Sequence, residues 1–185
     1  LPFVDDIGIT LDGPPARTNK AMRLGKLENF YTVLESLELI DSKYPHITVT
    51  VRTVVSKVNK ASVANIGHLL MAFRECIDRW KVYQFTPFSY GETFKEDHEI
   101  DYQEFMGIAQ YILTQFPNLP VQIAESQEQS GRYLFIGPEG NIFGVNQSQN
   151  YEIVGNAKQD SFDDILRKIQ PKFHPELNKK HGIYS

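Results

Sequence analysis

Cysteine is nearly missing from this sequence: Cys76 is the only one in 185 residues. That excludes an intrachain disulfide and points to a reducing compartment. It also excludes a zinc or iron–sulfur site built from several thiolates of this chain. Long apolar runs are missing too. None approaches ~18 residues, so the reading is no membrane span. Basic residues are not in excess: 19 Lys and Arg against 23 Asp and Glu give a net charge of −4, which disfavours general nucleic-acid binding. Leu1-Pro2 lead into acidic Asp5-Asp6 rather than a basic n-region, so no signal peptide is read and a cytoplasmic location is expected.

The common chemical signatures are also lacking. There is no G-x-x-x-x-G-K-[ST] loop, no G-x-G-x-x-G and no G-x-S-x-G elbow. Histidines 46, 68, 98, 174 and 181 form no H-x-x-x-H or H-E-x-x-H pair. His68 reads as a surface or capping residue, Lys95-Glu96-Asp97-His98-Glu99 as a solvated loop, and Cys76 as a buried, inert thiol. No metal site is expected in this chain.

What is present is alternation of strand and helix. The size suits one domain, or one with a small appendage. Residues 4–12 read as a strand, with Ile7, Ile9 and Leu11 facing one way. Residues 27–41 carry a helical stripe, and 47–55, almost all β-branched, a strong strand. A helix follows over 62–77 with Ser62 as its N-cap, then a strand over 80–86, a polar loop over 87–100, and a helix over 101–116 opened by an Asp101/Glu104 capping box. This β-α-β-α-β-α order implies parallel strands with right-handed crossovers, the unit of both doubly wound sheets and TIM-like barrels.

Shorter strands are read at 121–125, 132–136 and 141–145, the last two a hairpin about Pro138-Glu139-Gly140-Asn141. Asp160 or Ser161 caps a short helix, and the tail from Pro171 is polar. The expected division is 1–118, the barrel-like part, and 119–185, an extension with hairpin, helix and tail. In parallel α/β folds ligands gather at strand C-terminal ends. Here those are Thr10-Leu11-Asp12-Gly13, Ser56-Lys57-Val58-Asn59, and the run of Lys81, Tyr83 and Gln84 to Thr86.

Set in order, these stretches resemble a family. IGITLDGPPARTNKAMR looks like the fourth strand and following loop of radical S-adenosylmethionine (SAM) enzymes. GKLENFYTVLESLELI is similar to the next helix, and ITVTVRTVVSKVNKASVANIGHLL to the fifth strand and helix. IDRWKVYQFTPF resembles the sixth strand; its R-W-K-V-Y-Q wording, with ESQEQSGRYLFIGPEGNIF, is closest to viperin-like and SPASM-type branches. The resemblance implies an α/β fold, a partial (β/α) TIM-like barrel segment of strands four to six with a small C-terminal hairpin and helix. The family's C-x-x-x-C-x-x-C and G-G-E-like segments do not occur. The expectation is therefore the C-terminal half of an oxidoreductase that begins mid-barrel and is inactive alone. In the intact parent, a reduced [4Fe–4S] cluster would cleave SAM to a 5′-deoxyadenosyl radical; neither is expected on this chain by itself.

Carried over residue by residue, the resemblance places Arg23 on the SAM carboxylate, as a guanidinium suits, and Thr10 near the methionine moiety. It gives Asp12, Ser56 and Asn59 to the same cofactor, although Asp12 also fits a turn role and Asn59 a loop or helix-entry role. Arg79 and Lys81, which alternation puts on one strand face, would meet a nucleoside triphosphate, or else be an exposed strand-entry pair. Tyr83 and Gln84 complete the substrate set, although they point oppositely, so at most one faces the lumen. No catalytic residue is assigned. Expected partners are a small-molecule or nucleotide substrate, no nucleic acid, no membrane, and a homodimer through an exposed sheet edge. Two rival readings remain open: a non-catalytic binding module made from a half-barrel, and a viperin-like nucleotide-modifying enzyme.

Overall fold

The computed structural model describes residues 3–14, 16–23, 28–87, 89–124, 134–145 and 151–169. They belong to two compact units, Leu1–Ala124 and Glu125–Ser185.

The first unit is built on β1 (Asp6–Thr10), β2 (Thr48–Val55), β3 (Arg79–Gln84) and β4 (Val121–Ala124). All pair in parallel, in the order β1-β2-β3-β4. Between them run α1 (Ala16–Arg23) and α2 (Glu28–Lys43), then α3 (Val63–Leu70), then α4 (Lys95–His98) and α5 (Tyr102–Gln115). β2 is the strongest strand because its sequence, TVTVRTVV, is β-branched at every position but one.

Register and side-chain alternation give the sheet two unlike faces. Ile9, Val51 and Trp80 align on one face, as do Val82 and Ile123 in the next row. The buried residues of α2, α3 and α5, including Leu37, Ile66 and Phe105, join the same cluster. Each fully buried Leu, Ile or Val of this kind contributes roughly 1.5–3 kcal/mol. The opposite face carries Asp6, Gly8, Thr10, Thr50, Arg52, Arg79, Lys81, Tyr83 and Gln122. None of these belongs to the apolar cluster. The longest helix of each crossover, α2, α3 and α5, therefore covers the same face and leaves the polar face open among the described residues of this unit.

A hydroxyl group sits inside the covered side. Thr53 is fully buried. Its hydroxyl donates to Leu11 O at 2.7 Å and accepts from Trp80 Nε1 at 3.0 Å. A buried hydroxyl and indole N–H are thereby both paired.

The structure differs from the sequence reading at several elements. β1 stops at Thr10 rather than 12, because the ladder ends at Leu11 N–H, which donates to Arg52 O, and Asp12 N–H turns to Asn19 Oδ1. The single helix expected over 62–77 is instead a 3-10 turn at Lys60–Ser62, α3, and a second 3-10 turn at Met71–Phe73. Ser62 stands at the N-cap position, but its hydroxyl donates to Asn59 O rather than accepting from the helix. The 87–100 segment is not a plain loop: a 3-10 turn covers Ser89–Phe94 and α4 follows. Lys57 secures it, its N–H donating to His98 O at 3.1 Å and its ammonium to Glu96 O at 3.0 Å. Asp101 does cap α5, accepting from Glu104 N–H at 2.9 Å. Glu104 pairs with Lys60. β4, read as part of the extension, is the fourth strand of the parallel sheet, because Val121 and Ile123 continue the apolar rows of Trp80 and Val82.

The second unit is an antiparallel sheet, β5 (Leu134–Ile136), β6 (Asn141–Val145) and β7 (Tyr151–Asn156), with α6 (Phe162–Ile169). β7 was not read from the sequence. The β5–β6 turn closes with Gly140 at φ +89°, a conformation that favours glycine. Ile142 and Ile165 form a small core with Val154. Ser161 caps α6, its Oγ accepting from Asp164 N–H at 3.2 Å. The polar tail from Pro171 lies outside the described residues. No helix among the described residues is long and apolar enough to cross a membrane.

Two glycines in helices should respond to alanine with opposite signs. A Cβ on Gly67 would lie 2.3 Å from the Phe116 ring, and one on Gly107 meets nothing within 4 Å. Chemical denaturation of Gly67→Ala should show a loss of about 1–3 kcal/mol. Gly107→Ala should gain about 0.5–1 kcal/mol. Equal effects would contradict this packing. For Cys76, burial, with Asp41 and Asp78 nearby, pushes the thiol up to about 11. Because the thiolate is the reactive form, alkylation at pH 8 should run about two orders of magnitude slower than for a free cysteine and accelerate as pH rises toward that value. A rate that levels off near pH 8.5 would contradict it.

Candidate functional site

The loops after β1 and β2 are joined by one side chain. Asn59 is almost fully buried. Its Nδ2 donates to Asp12 O at 2.8 Å and to Val54 O at 2.7 Å, and its Oδ1 accepts from Ser56 N–H at 2.8 Å. Asp12 Oδ1 accepts from Val54 N–H at 2.8 Å, and Asp12 N–H donates to Asn19 Oδ1 at 2.9 Å. Ser56 Oγ accepts from Val58 N–H and faces Met22 Sδ at 3.1 Å. Three of the five residues expected at the cofactor, Asp12, Ser56 and Asn59, thus meet in a buried clamp whose partners are mostly backbone. Both amide protons of Asn59 are engaged there, so its geometry is that of a strand-end tie.

Thr10 is placed differently. It is half-buried on the open face, in one row with Arg52, Lys81 and Gln122. Arg23 is the last residue of α1; its side chain lies outside the described residues.

Of the four residues expected at substrate, three share the open face. Arg79, Lys81 and Tyr83 alternate along β3 with the buried Trp80, Val82 and Gln84. Arg79 donates from Nε to Thr50 Oγ1 at 3.0 Å and pairs with Asp6 at 2.7 Å. Burial, then the guanidinium groups of Arg79 and Arg52, hold the Lys81 ammonium below its ordinary 10.5, against the opposing effect of Asp6. Gln84 lies on the helix-covered side and donates to Ile100 O at 3.0 Å, securing the chain before α5.

Two contributors escaped the sequence reading. Arg52 is the one charged residue in 47–55 and has alternation parity opposite to Val51 and Thr53, which was signal enough to put it on the open face. Asn19 carried no such signal, since its role depends on how the polar turn folds back.

The second unit has an open cleft of about 630 Å³ lined by Asn141, Asn156, Asp160 and Lys168 among others. Its polar groups serve one another: Asn156 Nδ2 donates to Asn141 Oδ1, and Asn156 N–H to Asp160 Oδ2.

An iron–sulfur cluster does not fit the residues described. Cys76 donates its thiol proton to Phe73 O at 3.3 Å, and its raised pKa opposes the thiolate a cluster needs. Among the described residues no three His, Cys, Asp or Glu side chains converge on a metal position. The open face does fit anionic groups, with three cations and hydroxyls beside them.

Neither a protein-family model nor a curated protein sequence matches the chain.

Replacing Asn59 with alanine removes its bonds to one buried carbonyl, one part-buried carbonyl and one buried N–H. Asn59→Ala should cost about 2–4 kcal/mol in a denaturant titration. A loss below about 0.5 kcal/mol would show that the clamp does not hold the strand ends.

Proposed function

We propose that this chain is part of the barrel of a radical SAM enzyme and supplies one wall of its SAM and substrate pocket. One observation carries the reading: four parallel strands in unbroken sequential order, with the main helix of every crossover on one face and a cationic, hydroxyl-bearing face opposite. A doubly wound sheet reverses its strand order and is covered on both faces. A (β/α) barrel keeps sequential order and turns its uncovered face to the lumen. The resemblance of residues 7–26 and of the R-W-K-V-Y-Q strand supports the same assignment.

In this reading the parent is an oxidoreductase that cleaves SAM reductively to a 5′-deoxyadenosyl radical. Cluster ligation comes from cysteines outside these 185 residues, because one half-buried thiol cannot ligate three irons. The residues here bind and orient. Arg23 meets the SAM carboxylate and Thr10 the methionine moiety. Asp12, Ser56 and Asn59 act on the cofactor through the shape of the loops they tie. Arg79 and Lys81 supply positive charge to a phosphate-bearing substrate, with Tyr83 beside them. The cations gathered on this face, Arg52, Arg79 and Lys81, favour the viperin-like, nucleotide-directed branch over other radical SAM chemistry.

The test is made on the full reading frame that contains this chain. After anaerobic iron and sulfide reconstitution and reduction, that protein should release 5′-deoxyadenosine from SAM. Arg23→Ala should weaken SAM binding about tenfold, the worth of one charge-assisted pair. The 185-residue chain alone should take up no stoichiometric cluster. Absence of 5′-deoxyadenosine from a fully reconstituted parent, or a stoichiometric [4Fe–4S] spectrum on this chain alone, would overturn the proposal.

A further inference from the structure

We propose that Arg52, seated on Gly8, is the third cation of a polyphosphate site on the open face, together with Arg79 and Lys81. The inference rests on the phosphate-directed part of the reading above and adds a residue that the resemblance does not supply.

The seat is geometric. A Cβ built on Gly8 would lie 2.8 Å from Arg52 Cζ, 2.9 Å from Nη1 and 3.0 Å from Nη2. Near-equal distances to three atoms of a plane mean that the guanidinium lies face-on over the Gly8 backbone. Gly8 is in register with Thr50, and Thr50 with Arg79. The Arg52 side chain therefore leans from its own row into the row of Arg79, placing guanidinium groups on either side of Thr50. Lys81 stays in the row that Arg52 leaves.

Charge makes this placement informative. The side chains of Arg52 and Lys81 have no hydrogen-bond or ion-pair partner among the described residues, and that of Arg79 is held by Asp6 and Thr50. Asp6 is the only carboxylate on the rows of this face, against three cations. Arg79 and Lys81 are half-buried and Arg52 exposed, and the Lys81 ammonium is held below its ordinary range first by burial and then by repulsion from the two guanidinium groups. An anion relieves that repulsion. A single carboxylate would leave most of the charge uncompensated. A triphosphate, with several negative oxygens in a row, matches three cations, and a guanidinium fork grips two of those oxygens at once. The chain carries a net −4, so this concentration is local.

Gly8→Ala offers a test that leaves the cations intact. The three atoms nearest its methyl group all belong to the flexible end of Arg52, so the substitution displaces the guanidinium. Inorganic tripolyphosphate should be titrated into the 185-residue chain by calorimetry at fixed ionic strength. Arg52→Ala should weaken binding about tenfold, as one charge-assisted contact implies, and Arg52→Lys should recover only part of this. Gly8→Ala should weaken binding about threefold or more, and should have no further effect in the Arg52→Ala background. Should Gly8→Ala melt early, the exposed Arg52→Ala decides alone. No binding by the unsubstituted chain, unchanged binding by Arg52→Ala, or an equal Gly8→Ala effect with and without Arg52 would each overturn the inference. Arg52-dependent binding beside a parent that releases no 5′-deoxyadenosine leaves this site standing and removes the SAM reading. A SAM-cleaving parent whose triphosphate binding ignores Arg52 does the reverse.

Discussion

The carboxamide of Asn59 is the hinge on which this molecule's arrangement turns. Parallel strands need long crossovers, and nothing local fixes how two such strand ends stand relative to each other. Asn59 fixes it by donating to the last turn of β1 through Asp12 O, donating to β2 through Val54 O, and accepting from Ser56. Asp12 completes the tie by accepting from Val54 N–H. A slip of one residue between β1 and β2 would break these bonds and reverse which side chains face the helices. The row of Thr10, Arg52 and Lys81 exists only in the register that this clamp selects.

That register sorts the chain's chemistry into two compartments. On the covered side, apolar residues pack around Trp80, and the two polar groups admitted there, Thr53 and Gln84, are each paired. On the open side, cations stand beside hydroxyls with one carboxylate between them. Burial and charge act together on Lys81: partial desolvation disfavours its ammonium, and two guanidinium neighbours add to that effect.

Much of this was legible in the sequence where periodicity alone decides the outcome. The β-branched run of β2 announces a strand, and alternation along R-W-K-V-Y-Q puts Arg79 and Lys81 on one face, which Tyr83 shares in the structure. The strand ends Thr10 to Gly13 and Ser56 to Asn59 stand out in the sequence for their polar groups, and in the structure Asp12, Ser56 and Asn59 meet there. Their partners were not legible, because Asn59 and Asp12 are 47 residues apart. A pair that far apart looks like two unrelated loop residues. β4 was misassigned to the extension since four residues carry too little pattern to say which sheet they join. The break of the 62–77 helix into 3-10 and α segments follows hydrogen bonds that the apolar stripe does not encode. Arg52 was visible as the odd member of its strand, but only the bare backbone of Gly8 explains where its guanidinium rests.

The fully buried Trp80 has a consequence for how this protein can be watched. It is the only tryptophan in the chain, and its indole N–H is held by Thr53 in the middle of the parallel sheet. Intrinsic fluorescence excited at the indole band is therefore a reporter of one location. It records the opening of the sheet between β2 and β3 and carries no direct signal from the antiparallel unit, whose unfolding must be followed by another optical probe.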